Sequence, residues 1–338
     1  MNLSFSFIIP VYNRPDEISE LLESLSAQTY TKPFEVVIIE DGSAKPSKEV
    51  LVDFHDRLAI TYFEKPNSGP GDSRNHGMER AKGNYFIILD SDCILPPQYL
   101  TVVDTALNEN YVHCYGGPDA AHESFSLVQK AINYAMTSVL TTGGIRGNKN
   151  IVGKFQPRSF NMGLSKSAFE TIGGFGNIHP GEDPDLIFRL WAKGYETKLI
   201  QEAFVYHKRR INWNTFFEQV KKFGTVRPIL NNWHSGTAKA TYWFPTFFCM
   251  GFAVSMVFLI LGIALPILMY LGYFMLVFID SLLKNKSISI ALLSLLAVCI
   301  QFIGYGYGFF KSATLLNLTG KKAQELFPNL FYKTNSVR

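Results

Sequence analysis

Asp90-Ser91-Asp92 closes the apolar run from Tyr85 to Leu89. Two carboxylates one residue apart at a strand end can hold a divalent cation against a diphosphate, so the triplet points to chemistry on a nucleotide-activated substrate. Alone it is a short signal, because Asp also ends strands by turning the backbone. A second acidic cluster, Glu182-Asp183-Pro184-Asp185, opens a run carrying Ile187, Leu190 and Trp191 at helical spacing. Acidic residues also favour a first helical turn, so a capping cluster is its plain alternative.

The elements that must position these groups can be read from apolar periodicity. Strands are expected over Ser4 to Val11, Glu35 to Glu40, Ala59 to Glu64 and Tyr85 to Leu89, with helices over Pro15 to Ala27, Lys48 to His55 and Gly71 to Ala81. Such alternation implies an α/β fold with a mainly parallel sheet flanked by helices. Ile18, Leu21, Leu22 and Leu25 recur at helical spacing and should face that sheet. Ligands of open α/β sheets bind beyond the carboxyl ends of the strands, marked here by Tyr12-Asn13, Asp41-Gly42-Ser43 and Asp90-Ser91-Asp92. Tyr115-Gly116-Gly117-Pro118 reads as a place where backbone approaches a ligand closely.

The 338-residue chain carries a net charge of +4, unevenly placed. No charged residue occurs from Phe244 to Ile279 or from Ser287 to Phe310, whereas Lys208, Arg209, Arg210, Lys221, Lys222, Arg227 and Lys239 precede them against a single acidic Glu218. A bilayer-spanning helix needs roughly 20 apolar residues, so the first stretch suits a hairpin turning near Pro266 and the second a single span. The basic collar favours an anionic membrane surface over nucleic acid. These features divide the chain into a catalytic domain (1–207), a basic amphipathic interface segment (208–243), two or three membrane segments (244–310) and a basic tail (311–338). The N-terminus lacks the pattern of a signal peptide, which is expected to leave the catalytic domain in the cytoplasm beside the cytoplasmic membrane. Lys284 and Lys286 favour a cytoplasmic linker, while Lys311, Lys321 and Lys322 favour a cytoplasmic tail; three full spans cannot satisfy both, so one segment is expected to be re-entrant. Cys93, Cys114, Cys249 and Cys299 lie too far apart in sequence to form a metal-type pair.

Ile8-Ile9-Pro10-Val11-Tyr12-Asn13-Arg14, Val37-Ile38-Ile39-Glu40-Asp41-Gly42-Ser43, Asn67-Ser68-Gly69-Pro70-Gly71, Ser73-Arg74-Asn75-His76-Gly77-Met78 and Asp90-Ser91-Asp92 form an ordered series. The series resembles the family 2 glycosyltransferases of the GT-A fold, over roughly the first two-thirds of the chain. That resemblance implies that Asp41 accepts a hydrogen bond from the nucleotide base, with Pro10, Tyr12 and Asn13 lining the pocket and Arg74 approaching the diphosphate. It makes Asp92 the principal ligand of Mn²⁺ or Mg²⁺, with Asp90 near the ribose or sharing the cation and His207 completing the metal site. The segment with Phe160-Asn161-Met162-Gly163-Leu164, Gly173-Gly174-Phe175 and Glu182-Asp183 resembles the acceptor side of the same family. There Asp183 would be the catalytic base, Asn161 and Glu182 acceptor-side residues, and Asp185 structural. Gln219-Val220-Lys221-Lys222-Phe223 has the spacing of the Gln-x-x-Arg-Trp motif of processive synthases but differs at both closing residues, which argues against processive polymerisation.

The resemblance therefore implies a membrane-attached, inverting, metal-dependent glycosyltransferase. It would move sugar from a nucleotide-diphosphate donor to a hydroxyl of a lipid-linked or cell-envelope glycan. A polyprenyl-phosphate acceptor is the second reading, and a membrane assembly subunit that binds donor without turnover is the third.

Overall fold

The computed structural model describes residues 2–120, 125–143, 154–207 and 212–332. Lys208, Arg209 and Arg210 of the basic collar, and the tail beyond Tyr332, lie outside the described residues. Contacts divide the chain into two compact units. Of the described residues, the first gathers 2–120, 154–207 and 331–332, and the second 125–143 and 212–330.

The first unit begins β1 (Phe5–Val11), α1 (Pro15–Ser26), β2 (Glu35–Asp41), α2 (Lys48–Leu51), β3 (Ala59–Lys65), α3 (Pro70–Arg80) and β4 (Tyr85–Leu89). It continues with β5 (Cys93–Ile94), α4 (Tyr99–Glu109), β6 (Cys114–Gly116) and β7 (Asp119–Ala120). In the second unit follow α5 (Leu127–Thr137) and α6 (Val139–Thr142), before the chain returns to β8 (Asn161–Ser165), α7 (Lys166–Ile172), α8 (Glu182–Ala192), β9 (Thr197–Leu199) and β10 (Val205–His207). The expected strands and helices of the first ninety residues are all present, shifted by a residue or so at their ends; the expected helix from Lys48 continues past Leu51 as a 3-10 turn over Val52–Phe54.

Seven strands form one sheet in the order β3-β2-β1-β4-β8-β6-β9. The pairs β3/β2, β2/β1, β1/β4 and β6/β9 are parallel, while β8 runs antiparallel to both β4 and β6. Alternate side chains of the buried strands serve opposite faces, as the two-residue period requires. Phe5, Phe7, Ile9 and Val11 of β1 pack with Ile18, Leu21, Leu22 and Leu25 of α1 and with Leu100 and Val103 of α4. Ile8 turns the other way, joining Ile39, Met78, Ile88, Leu186 and Leu190. The sheet is thus clamped between helices, and its strand ends are rigid mounts. A smaller sheet, β5-β10-β7, sets His207 opposite Cys93 in antiparallel register.

The second unit is helical: α5, α6, α9 (Trp213–Trp233), α10 (Phe244–Ile260), α11 (Leu265–Asn285), α12 (Ile288–Thr319) and α13 (Ala323–Leu326). The uncharged first stretch is a hairpin, turning through Leu261 to Ala264 with Gly262 at φ 81°. Three helices, 240–260, 265–285 and 288–319, are long and apolar enough to cross a membrane. Phe247, Met250, Val257, Ile260, Leu265 and Met269 stand exposed, an apolar face that water does not favour. The interior contacts use small residues and paired hydroxyls, as helices do in lipid. A Cβ at Gly304 would press on Val220 and Phe217, and Ser281 and Ser294 exchange a hydrogen bond of 2.8 Å. The apolar side of α9, expected at a membrane interface, is occupied by α12.

Candidate active site

Because β1 lies between β2 and β4 in parallel, their carboxyl ends share one edge, and the three polar strand ends expected to converge do so. Pro10 sits half-buried at the end of β1 beside Ile39, and Tyr12 is 52% exposed. Asn13 adopts φ 54°, a left-handed conformation that Asn tolerates. Its Oδ1 accepts from the backbone N–H of Ala44 at 2.8 Å and Lys45 at 3.1 Å, while its own N–H donates to Ser43 Oγ at 2.7 Å. Asn13 therefore fastens the β1 end to the loop after β2. Asp41 is buried, and both its oxygens are engaged. Oδ1 accepts from Lys65 Nζ at 2.6 Å and Ser68 N–H at 3.0 Å, and Oδ2 from Gly69 N–H at 2.9 Å. The carboxylate expected to meet a base also shapes the Ser68–Gly69 turn.

Beyond β4, Asp92 is buried and its Oδ2 accepts from Arg14 Nη1. Asp92 Oδ1 lies 3.2 Å from His207 Nε2 but makes no well-aligned hydrogen bond, and Asp90 Oδ2 lies 3.9 Å from the same nitrogen. Burial opposes ionisation of Asp92, yet His207 and Arg14 outweigh it and hold the carboxyl below its usual range. Asp92, Cys93 and His207 bring one donor atom each within 4.8 Å of one another. Burial pushes the Cys93 thiol far up, and its Sγ faces Phe160 O at 3.4 Å, so it stays a protonated packing group. An uncommitted buried carboxylate oxygen facing an imidazole nitrogen, with a second carboxylate beside it, fits a hard divalent cation such as Mn²⁺ or Mg²⁺. The imidazole is steadied by stacking on Phe160 at 5.0 Å.

Arg74, carried by α3, is almost wholly buried. Its Nη2 donates to Asp90 Oδ1 at 2.8 Å and its Nη1 reaches Glu182 Oε1 at 3.4 Å. Burial alone would disfavour its charge, but Asp90, Asp183 and Glu182 more than offset that. Glu182 also takes His179 Nδ1 at 2.8 Å. Its own burial is outweighed by His179 and Arg74, which hold its carboxyl at about 2. The next residue is treated in the opposite way. Burial, then the Glu182 charge, pushes the Asp183 carboxyl above its usual range, against the pull of Arg74, Arg158 and the Ser159 N–H. Asp183 Oδ2 accepts from Ser159 N–H at 3.1 Å, while Oδ1 is buried without a hydrogen-bond partner among the described residues. Asp185 is tied to Arg189 Nε and Nη2 at 3.0 and 2.8 Å. Next to Arg74, Asn75 clamps Phe175 through both backbone groups, N–H to Oδ1 at 2.8 Å and Nδ2 to O at 2.9 Å, so α3 fixes the acidic segment to the strand-end edge.

Two expectations end elsewhere. Asn161 is wholly buried in β8, where Tyr99 Oη donates to its Oδ1 at 2.6 Å and its Nδ2 donates to Ala203 O at 2.8 Å. Both ends of its amide are used in holding the fold. Gly116 and Gly117 do mark close backbone approach, but to the protein itself, at Pro157 and at Ala203 O. Sequence reasoning missed Arg14, Lys65 and His179. Arg14 follows the Tyr-Asn strand end and Lys65 ends β3, so position relative to strand ends was the usable signal for both.

The family model for Glycosyl transferase family 2 matches residues 6–173. An uncharacterized glycosyltransferase of Haemophilus influenzae is 30% identical over 223 residues, which cover 62% of this chain and 71% of that protein. The poly(ribitol-phosphate) beta-N-acetylglucosaminyltransferase TarS of Staphylococcus aureus is 30% identical over 112 residues, 32% of this chain but only 20% of TarS. Among solved structures, the mannosyltransferase PcManGT from Pyrobaculum calidifontis, in complex with GDP-Man and Mn2+, is similar with a TM-score of 0.55 at 15% identity, covering 94% of this chain and 88% of that one. This likeness shows the fold, the GT-A type expected from the sequence.

Removing one member of a buried charge network leaves the others uncompensated, at a cost of about 3–5 kcal/mol. Arg74→Gln should therefore lower the thermal unfolding midpoint by on the order of 10 °C. A midpoint equal to wild type would show that Arg74 is not the tie between Asp90 and Glu182.

Proposed function

The chain belongs to glycosyl transferase family 2, and from that premise we propose a membrane-attached inverting transferase that moves a sugar from a nucleotide-diphosphate donor to a hydroxyl of a lipid-linked or cell-envelope glycan. The observation that carries the reading is the pairing of two differently tuned acidic sites through Arg74. Asp92, Asp90 and His207 form one, and Asp183, its carboxyl raised and its Oδ1 unpartnered among the described residues, forms the other. A divalent cation held by Asp92, Asp90 and His207 would neutralise charge on the departing nucleoside diphosphate. Pro10, Tyr12, Asn13 and Asp41 line the nucleotide end. Arg74 holds Asp90 in place for the donor. Asp183 Oδ1 takes the acceptor hydroxyl proton as that oxygen attacks the anomeric carbon, and Glu182, ionised and hydrogen-bonded to His179, keeps the segment oriented. A polyprenyl phosphate is already an anion and needs no base, so a carboxyl poised to accept a proton favours a hydroxyl acceptor. Similarity to TarS, named for transfer to poly(ribitol-phosphate), supports an envelope glycan, and the GDP-Man and Mn2+ of PcManGT support a nucleotide-sugar donor and a divalent metal.

The apolar helices attach the enzyme to the cytoplasmic membrane, with the catalytic unit in the cytoplasm. Phe331 bridges Ile178 and Tyr332 N–H donates to Asn177 O at 3.0 Å, so the chain leaves the helical unit into the same α/β unit from which it entered. Both ends of the helical unit then lie on one side of the bilayer, and its three apolar helices make an even number of complete crossings. In a cysteine-free background, Lys321→Cys in sealed spheroplasts should resist an impermeant maleimide until the membrane is opened; immediate labelling from outside would overturn this topology.

Asp183→Asn should lower transfer by about 10²–10⁴-fold while donor binding stays near wild type. Because the base works only when ionised and burial raises its carboxyl, the acid limb of kcat/KM should rise with pH through an apparent pKa above the ordinary 3.8. Undiminished turnover of the variant would sink the assignment. Metal dependence has its own check: chelation should abolish transfer, and Asp92→Asn should leave added Mn²⁺ free by electron paramagnetic resonance. Full activity in excess chelator, or Mn²⁺ binding unaffected by Asp92→Asn, would count against the cation site.

A further inference from the structure

The chain's return to the α/β unit places an aromatic ring at the nucleotide end of the site. Phe331 pairs antiparallel with Ile178, and Tyr332 N–H donates to Asn177 O at 3.0 Å. These contacts seat the Tyr332 ring against Gly69, so close that a Cβ at Gly69 would overlap it. Gly69 sits at φ 94°, a conformation L side chains rarely adopt, immediately before α3. On the far side of the same turn, Gly69 N–H donates to Asp41 at 2.9 Å. The ring also lies 5.9 Å from that of His179, which hydrogen-bonds Glu182. The phenol is half-buried, and its pKa is raised by that burial, then by the Asp41 and Glu182 charges and by Tyr12. Tyr332 thus stands beside the strand ends that carry Asp41 and Tyr12.

Resting on the donor-site reading above, we infer that Tyr332 is a donor-binding residue whose ring forms the wall on which the nucleobase of the sugar donor stacks. A nucleobase presents a flat π face that carboxylates and turn amides do not satisfy, whereas an aromatic ring does, irrespective of which base is bound. Backbone anchorage to Asn177 and Ile178, with the ring seated against Gly69, holds the residue in place before donor arrives, which lowers the ordering cost of binding. Its seat is Gly69, whose N–H donates to Asp41, so the expected effect is on donor affinity and not on the transfer step. The absence of a side chain at residue 69 is what admits the ring.

The test uses the full-length protein in nanodiscs, with UDP and GDP as probes in the presence of Mn²⁺, titrated by calorimetry. Loss of one aromatic–base stack costs about 1–3 kcal/mol, which is about a 5- to 150-fold weaker Kd. Tyr332→Ala should show a loss in that range for whichever nucleotide the wild type binds, raise KM for the sugar donor and leave kcat at saturating donor near wild type. Tyr332→Phe should restore binding, since the ring remains, and the Mn²⁺ affinity of both variants should match wild type, which a general disturbance of the site would not allow. Wild-type affinity in Tyr332→Ala would overturn the inference, and so would tighter binding, which would mark the ring as a plug. A wild type that binds neither nucleotide overturns the donor-site reading and this inference with it.

Discussion

A buried guanidinium cannot stay in a protein interior without carboxylates, and the carboxylates it gathers cannot then drift apart. Arg74 is that group here. It reaches Asp90 after β4 and Glu182 at the start of α8, residues drawn from halves of the fold separated by about ninety positions. The penalty for removing either partner is far larger than the net gain from the pair itself. The network consequently acts as a constraint on geometry more than as a store of stability. Its neighbour Asn75 repeats the constraint with neutral hydrogen bonds to Phe175, so α3 holds the acidic segment against the strand ends twice in succession.

The elements that carry this arrangement were readable because they are set by periodicity. Ile18, Leu21, Leu22 and Leu25 point to a helix, Tyr85 to Leu89 to a buried strand, and parallel alternation puts the strand ends on one edge. What periodicity does not carry is the identity of the partners across that edge. His207 reaches Asp92 only because a short sheet pairs it with Cys93, and its three-residue strand is too brief to leave a pattern. Arg14 and Lys65 drew no site assignment, since sequence spacing does not report which side chains meet across the edge. Asn161 looked like a ligand-facing polar residue because it stands in a familiar motif, whereas β8 is buried on both faces and its amide is needed to satisfy Tyr99 and Ala203. Tyr332 was unreachable by any local pattern, lying beyond the apolar helices and meeting Gly69 only through the folded chain.

The helical unit has a different surface, with three helices long and apolar enough to cross a membrane. Large apolar side chains stand exposed along α10, α11 and α12, and the interior combines aromatic and branched side chains with glycine and hydroxyl contacts. Asp280 near the end of α11 shows the rule at its margin. Its Oδ2 receives Tyr134 Oη at 2.7 Å, Ser138 Oγ at 3.1 Å and Lys284 Nζ at 2.8 Å. Three donors on one oxygen are what a carboxylate bordering an apolar segment requires to remain there. The uncharged stretches recognised in the sequence thus end where the chain can again supply partners for charge.

Adjacent residues of like type can be given opposite chemical tasks by their surroundings alone. Glu182 and Asp183 are neighbours on one helical turn. The first faces Arg74 and His179 and is held ionised at about 2, while the second is shielded, feels the first as a like charge and has its carboxyl raised. Exchanging their surroundings would exchange their tasks. The raised member is also the one with an oxygen left unpartnered. A carboxylate held ionised by its partners, as Glu182 is, is a poor base because each hydrogen bond stabilises its ionised form. Of the two, the carboxyl with the fewest partners is the better suited to take a proton, while Arg74 directs its hydrogen bonds to Asp90 and Glu182.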